Sequence, residues 1–135
     1  MKRNKLIEIA KRASLNAQSP YSNFCVGTAL LTKDGKVYTG CNVENQGIQS
    51  ICAERVAFTK AFSEGEPSND RTNYVAIAVV GHNRDSNEYL KTLPCGYCRQ
   101  FMSEFCGKDF IIYTCDNDNY YEYTLDALLP NAFDF

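Results

Sequence analysis

The sequence predicts a three-layer α/β/α sandwich with a mixed central sheet of about five strands, on three observations. Apolar positions recur at helical spacing near the start of the chain. Strand-like and helical stretches then alternate in the order α-β-β-α-β-α-β, with a weaker fifth strand and a closing helix. Residues 74–80, Tyr-Val-Ala-Ile-Ala-Val-Val, form a near-continuous apolar run that suits a strand buried on both faces. A chain of 135 residues makes one domain, residues 1–135, large enough for a single core.

Each element has its own reason. In residues 4–18, Leu6, Ile7, Ala10, Ala13, Leu15 and Ala17 fall mostly at helical spacing. Ser19-Pro20 ends that helix, because the residue before proline is biased away from helical dihedrals. Residues 24–32 read as a strand. Lys33-Asp34-Gly35-Lys36 is a hairpin turn, its Asp-Gly pair tolerating positive φ, and residues 37–43 return as the second strand. A polar loop over 45–50 leads into a helix over 51–64, which Gly65 and Pro67 stop. Residues 66–73 are an exposed connection, 74–80 the buried strand, and 82–91 a second polar loop. A helix over 95–106 follows, then a strand over 110–114 and a weak strand over 120–123. Residues 124–129 close as a short helix with Thr124 as N-cap. The passage from strand 74–80 through a helix to strand 110–114 requires a right-handed parallel crossover.

Composition narrows the classes of function. Hydrophobic residues make up 44% and charged residues 22%, the balance of an ordinary soluble globular protein. A net charge of −2 gives no basic footprint for neutralising many phosphates, which counts against nucleic acid as a partner. Lys2, Arg3, Lys5, Lys11 and Arg12 spread along one helix and read as its solvated face. No run approaches the roughly 18 apolar residues of a membrane span. The basic start lacks the long apolar region of a signal peptide, so no membrane partner and a cytoplasmic location are expected. The seven cysteines are odd in number and lack an export signal, which favours a metal site over a disulfide framework. Cys25, Cys41, Cys106 and Cys115 are expected as small buried hydrophobes. His82, the only histidine, falls in a polar loop at a strand end and is not expected to be a ligand.

The chemistry concentrates in Cys52-Ala53-Glu54-Arg55 and Pro94-Cys95-Gly96-Tyr97-Cys98. Structural zinc takes four protein ligands, whereas catalytic zinc keeps a position open. Three thiols in motif positions, with a carboxylate two residues from one of them, describe an open zinc site with its own proton carrier. Cys52 and Cys95 each open a helix, where unpaired N–H groups and the positive end of the dipole favour the metal-binding thiolate. Pro94 suits a helix start, and Cys95 and Cys98 share a face one turn apart. Three thiolates weaken zinc as a Lewis acid, so a nearby base must take a proton from bound water, and Glu54 is the candidate. Arg55 is the candidate to offset the sulfur charge by hydrogen bonding, with Arg99 as its rival.

The two motifs match the signature of zinc-dependent nucleobase deaminases, with cysteine in the first ligand position. More closely, the chain resembles the small homotetrameric cytidine deaminases of pyrimidine salvage. The matching blocks are Tyr21-Ser22-Asn23-Phe24 with Val26-Gly27, then Thr39-Gly40-Cys41-Asn42-Val43-Glu44-Asn45, then Ile51-Cys52-Ala53-Glu54-Arg55. Pro94-Cys95-Gly96-Tyr97-Cys98-Arg99-Gln100 and Leu128-Leu129-Pro130 before Phe133 complete them, so the resemblance covers nearly the whole chain.

That resemblance implies hydrolytic deamination of cytidine and deoxycytidine to uridine and deoxyuridine, with release of ammonia. It implies one Zn2+ per subunit held by Cys52, Cys95 and Cys98, a zinc-bound hydroxide attacking C4, and Glu54 as proton shuttle. Phe24 would stack on the base, Asn42 and Glu44 would hold the ribose 3′-hydroxyl, and the Ala53 backbone would contact the substrate. Phe133 would enter a neighbouring subunit's site, making the tetramer part of the activity. The residues agree with a neutral sugar: Asn42 and Glu44, at alternate positions of a strand end, point to one side, and a carboxylate there repels phosphate.

The chain departs from the family in two places. Gln46-Gly47-Ile48-Gln49-Ser50 lacks the usual tyrosine and is one residue short. The stretch between the zinc motifs is longer by roughly ten residues, placed in the polar loops 66–73 and 82–92, where insertion costs little. Three alternatives remain open on sequence alone. The short loop admits an aminohydrolase for a modified nucleoside such as a blasticidin-type antibiotic, though Phe24 and Glu44 favour the simple nucleosides. An editing deaminase lacks its basic stripe here. A structural zinc centre would need a fourth ligand, such as Cys25 or Cys41.

Overall fold

The computed structural model describes residues 1–47 and 49–134. Its elements are α1 (Arg3–Ser14), β1 (Phe24–Thr32), β2 (Val37–Cys41), α2 (Ala53–Ser63), β3 (Tyr74–Asn83), β4 (Tyr89–Leu90), α3 (Gly96–Phe105), β5 (Ile111–Cys115), β6 (Tyr120–Thr124) and α4 (Leu125–Leu128). One sheet runs β2-β1-β3-β5-β6, with β4 added along part of β3. Only β3 and β5 pair in parallel, as the crossover through α3 requires; the other pairs are antiparallel.

Alternation along the strands divides the core between the two faces of the sheet. On one face Leu6, Ile7 and Ala10 of α1 pack against Ala29, Leu31, Ala76, Ala78 and Val80. On the other, α2 and α3 cover Leu30, Ile77, Val79 and Ile112. The three layers are therefore α1, the sheet, and α2 with α3. Phe58 of α2 is fully buried at the centre of the second face, with ring centroids 5.9 Å from Phe101 of α3 and 5.4 Å from Tyr74 of β3. Burying such a ring stabilises by about 1.5–3 kcal/mol. Here it also fixes α2 and α3 to each other and to the sheet, and these two helices carry the site.

Three expectations are corrected. The first helix stops at Ser14 rather than 18, because Gln18 is needed elsewhere. Gln18 N–H donates to the Asn42 carbonyl and its own carbonyl accepts from Glu44, an extended bridge a helix could not make. The second strand ends at Cys41, and Val43 instead bridges to Gln18 and Ile51. The polar loop 82–91 is shorter than expected. β3 continues through His82 and Asn83, and Tyr89–Leu90 returns to pair with Gly81 and His82. His82 is thus a buried strand residue, its Nδ1 2.8 Å from the Asn83 carbonyl and its ring against Tyr89. The strand expected over 120–123 is present as β6, with five residue pairs to β5 from Ile111↔Thr124 to Cys115↔Tyr120. At this edge position Tyr121 and Tyr123 are half-buried on one face, while Tyr120, Glu122 and Thr124 are exposed on the other.

Candidate metal centre

Cys52 and Cys95 are the N-cap residues of α2 and α3, both with extended backbone, at φ −72, ψ 148 and φ −67, ψ 168. Neither helix start carries a side-chain cap, so their leading N–H groups remain directed at the thiol end. Cys98 follows in the first turn of α3 and is fully buried. The three sulfurs lie within 4.8 Å of one another, and Cys52 Sγ is 4.0 Å from Cys95 Sγ. Tetrahedral zinc, with Zn–S near 2.3 Å, sets its sulfurs about 3.8 Å apart, so the thiols are already close to that spacing. Among the described residues this is the only cluster of metal-capable side chains, and neither Cys25 nor Cys41 belongs to it. No fourth thiol completes a closed structural centre there. The donor set fits an open zinc site.

The thiols share their protons unequally. The Cys52 thiol is drawn down to about 5, chiefly by a hydrogen bond from Cys98 and further by Arg55 and Cys95. The same bond, with burial, pushes Cys98 up. Glu54, in the first turn of α2, is only 4% exposed. Burial pushes its carboxyl up to about 7, and the negative charge at Cys52 adds to this. The Cys52 and Cys98 thiols beside it raise the Arg55 pKa against the opposing effect of burial, and its guanidinium lies 4.4 Å from the centroid of the Tyr97 ring. Arg99, the rival, is used elsewhere: Nε donates to the Pro94 carbonyl at 2.7 Å and Nη1 to the Leu128 carbonyl at 2.9 Å.

Close packing brings Cys52 and Glu54 to this place. A Cβ on Gly40 of β2 would lie 2.3 Å from the Ala53 carbonyl oxygen and 2.8 Å from Ala57 N, so only glycine lets α2 start so near the sheet. Thr28 Oγ1 of β1 donates to the same Ala53 carbonyl at 2.9 Å. The expected backbone role of Ala53 thus falls on a residue gripped from two strands.

Beyond the N-terminal end of β1 lies a groove of about 480 Å³, lined by Tyr21, Ser22, Glu44, Asn45 and Ser50 among others. Glu44 Oε1 accepts from the N–H groups of Tyr21 and Ser22 at 3.1 and 3.0 Å, and Oε2 from Ser22 Oγ at 2.6 Å. The Ser22 hydroxyl, above all, holds this carboxyl below its usual range. Asn42 Oδ1 accepts from Val26 N–H and its Nδ2 donates to the Phe24 carbonyl, both at 2.9 Å. The Phe24 ring rests on Gly81, where a Cβ would stand 2.6 Å from a ring carbon. Phe24, Asn42 and Glu44 are therefore joined through one strand end.

Phe133 stands apart from that groove in its own chain. Its carbonyl accepts from Gln100 Nε2 at 3.2 Å, its side chain is 63% exposed, and it lines a separate cavity of about 170 Å³ with Arg71, Lys108 and Asp126. Of the shortened loop 46–50, Ile48 lies outside the described residues. Ser22, Thr28, Gly81 and Tyr97 escaped the sequence reading as site residues. Gly81 carried a signal, since glycine within a strand marks a close approach. The others lie in quoted motifs or strands but earn their roles only through distant partners.

Residues 1–114 match the family described as the cytidine and deoxycytidylate deaminase zinc-binding region. The chain is 44% identical over 135 residues to a cytidine deaminase of Halalkalibacterium halodurans, covering 98% of this chain and 95% of that one. It is 42% identical over 131 residues to a cytidine deaminase of Sporosarcina psychrophila, covering 96% and 89%. The crystal structure of cytidine deaminase from Burkholderia pseudomallei superposes with a TM-score of 0.85 at 40% identity, covering 98% of this chain and 100% of that one. With three thiols at two converging helix starts, and these relatives along its whole length, the chain belongs to the cytidine and deoxycytidylate deaminase zinc-binding family.

Proposed function

We propose that the protein hydrolyses cytidine and deoxycytidine to uridine and deoxyuridine, consuming one water and releasing one ammonia per turnover. The observation that carries this reading is the buried Glu54 beside the Cys52, Cys95 and Cys98 sulfurs. Cys52, Cys95 and Cys98 would hold one zinc per subunit, which when bound supplies Lewis acidity and makes water more acidic. Glu54 takes the proton from the attacking water, delivers it to N3 of the pyrimidine, and then passes a proton to the departing 4-amino group. Its burial keeps that proton from bulk solvent. Arg55 offsets the charge of the sulfurs.

Phe24 stacks on the base, with Gly81 supporting the far side of its ring. Asn42 and Glu44 orient the sugar 3′-hydroxyl. Glu44 stays ionised because Ser22 and two backbone N–H groups hold it, and an ionised carboxylate there repels a 5′-phosphate. Phe133 is assigned to a neighbouring subunit's site in a homotetramer. The enzyme would serve pyrimidine salvage in the cytoplasm, where its seven free cysteines would stay reduced.

The test is loss of cytidine absorbance on zinc-loaded protein, with uridine confirmed by chromatography and with deoxycytidine and cytidine monophosphate run alongside. Turnover of both nucleosides but not the nucleotide is expected. Preferential turnover of the nucleotide would overturn the Glu44 assignment, and no turnover of any of them would move the substrate to another amine-bearing nucleoside.

A further inference from the structure

We propose that Tyr97 is a positioning residue for the metal centre, holding Arg55 against the sulfurs from the opposite helix. The inference rests on the zinc reading above. Arg55 belongs to α2 and lies beside Cys52 of its own helix start and Cys98 of α3, whose thiols raise its pKa. Proximity to the thiols does not by itself fix the plane of the guanidinium. Its Nε is buried and has no hydrogen-bond partner, so no carbonyl or carboxylate fixes the base of the fork. The guanidinium does meet the Tyr97 ring, whose centroid is 4.4 Å from the guanidinium carbon. A cation over a ring face is attracted to the ring's negative quadrupole, and the flat guanidinium stacks where an ammonium would not.

Tyr97 stands between two of the thiols, in the first turn of α3. It is 66% exposed, an unusual place for a large ring that has only packing to do. Its place is explained by Arg55. The contact joins the helix that begins at Cys52 to the helix that begins at Cys95, across the point where the three thiols converge. Loss of the ring would let Arg55 swing toward solvent. The sulfurs would then carry their charge with less compensation, and α2 and α3 would lose a contact at their open ends. The hydroxyl plays no part, because the attraction belongs to the ring face.

The experiment follows zinc release from the full chain to a chromogenic chelator at neutral pH, a readout that needs no substrate. Tyr97→Leu removes the π face at similar bulk and should release zinc about 2- to 5-fold faster, the range of an exposed cation–π pair. Tyr97→Phe should match the unsubstituted protein. In an Arg55→Ala background, Tyr97→Leu should change nothing further. Three results would each overturn the proposal: no acceleration with Tyr97→Leu, equal acceleration with Tyr97→Phe, or acceleration that persists without Arg55. A parent protein that binds no zinc would overturn the zinc reading itself, which separates that failure from the others.

Discussion

Ser22 Oγ donates to Glu44 Oε2 at 2.6 Å while the same oxygen accepts from the Phe24 N–H at 3.0 Å. One hydroxyl thus links the carboxylate assigned to the sugar and the ring assigned to the base. Two residues far apart in sequence keep a fixed separation because a short side chain spans them. Ser22→Ala is expected to raise KM for cytidine by roughly 3- to 10-fold with a smaller change in kcat, the loss of one of three hydrogen bonds to a charged group. Ser22→Thr, which keeps the hydroxyl, should restore much of it. Steady-state kinetics check this, and an unchanged KM in Ser22→Ala would remove Ser22 from the site.

Glu54 is packed so tightly that its shape and its chemistry can be separated. Glu54→Gln keeps the volume and removes the proton-carrying carboxylate. Zinc content should stay near that of the parent, while kcat falls by about 10³-fold or more. Metal analysis beside single-turnover kinetics would show it, and near-normal turnover would sink the proton-shuttle assignment.

Two glycines near the thiols should behave differently. A Cβ on Gly40 meets the Ala53 carbonyl at 2.3 Å, whereas a Cβ on Gly96 meets nothing within 4 Å. Gly40→Ala should cost about 1–3 kcal/mol through overpacking. It should also lower zinc occupancy, because Ala53 lies between Cys52 and Glu54. Gly96→Ala should leave both nearly unchanged. Urea unfolding with zinc analysis of the two variants would test the contrast.

Away from the site, Glu66 accepts from Tyr38 Oη at 2.7 Å and from Asn73 Nδ2 at 3.0 Å, and lies 3.8 Å from Lys36. The Asn73 and Tyr38 bonds hold its carboxyl below the usual value of 4.5. A lowered pKa in the folded state means that the unfolded chain binds more protons as pH falls. The stabilisation is therefore complete above about pH 5 and is lost as pH drops through the folded value. The Tm difference between the parent and Glu66→Gln should be constant near neutral pH and shrink toward pH 3. A difference that grows with acid would contradict the sign.

Local chemistry made much of the site legible in the sequence. Cys52 and Cys95 announced themselves because a thiol at a helix start is a position with its own electrostatics, and Cys98 followed from one turn of helix. The strands at 24–32 and 74–80 were readable from their apolar runs, since burial on two faces leaves few polar positions. The end of α1 at Ser14 was not readable. Leu15 and Ala17 are good helix formers, and the pairing of Gln18 with Asn42 and Glu44 takes the chain out of the helix. The extension of β3 to His82 and Asn83 was hidden for the same reason, because β1 and β4 supply its hydrogen bonds from elsewhere.

The sequence by itself determined the family, the order of layers, and the three thiols that gather at the two helix starts. Each depends on residue identity and short spacing, which local geometry turns directly into position. Tertiary structure alone decided that Arg55 rather than Arg99 meets the sulfurs, that Gly40 and Thr28 grip Ala53, and that Ser22 joins Glu44 to Phe24. These are contacts between segments that meet only when the sheet and its helices pack, and both arginines follow a cysteine of the cluster closely enough to be equivalent on paper. Distance through space separates them: the Pro94 and Leu128 carbonyls bind Arg99, while Arg55 lies between two thiols and the face of Tyr97.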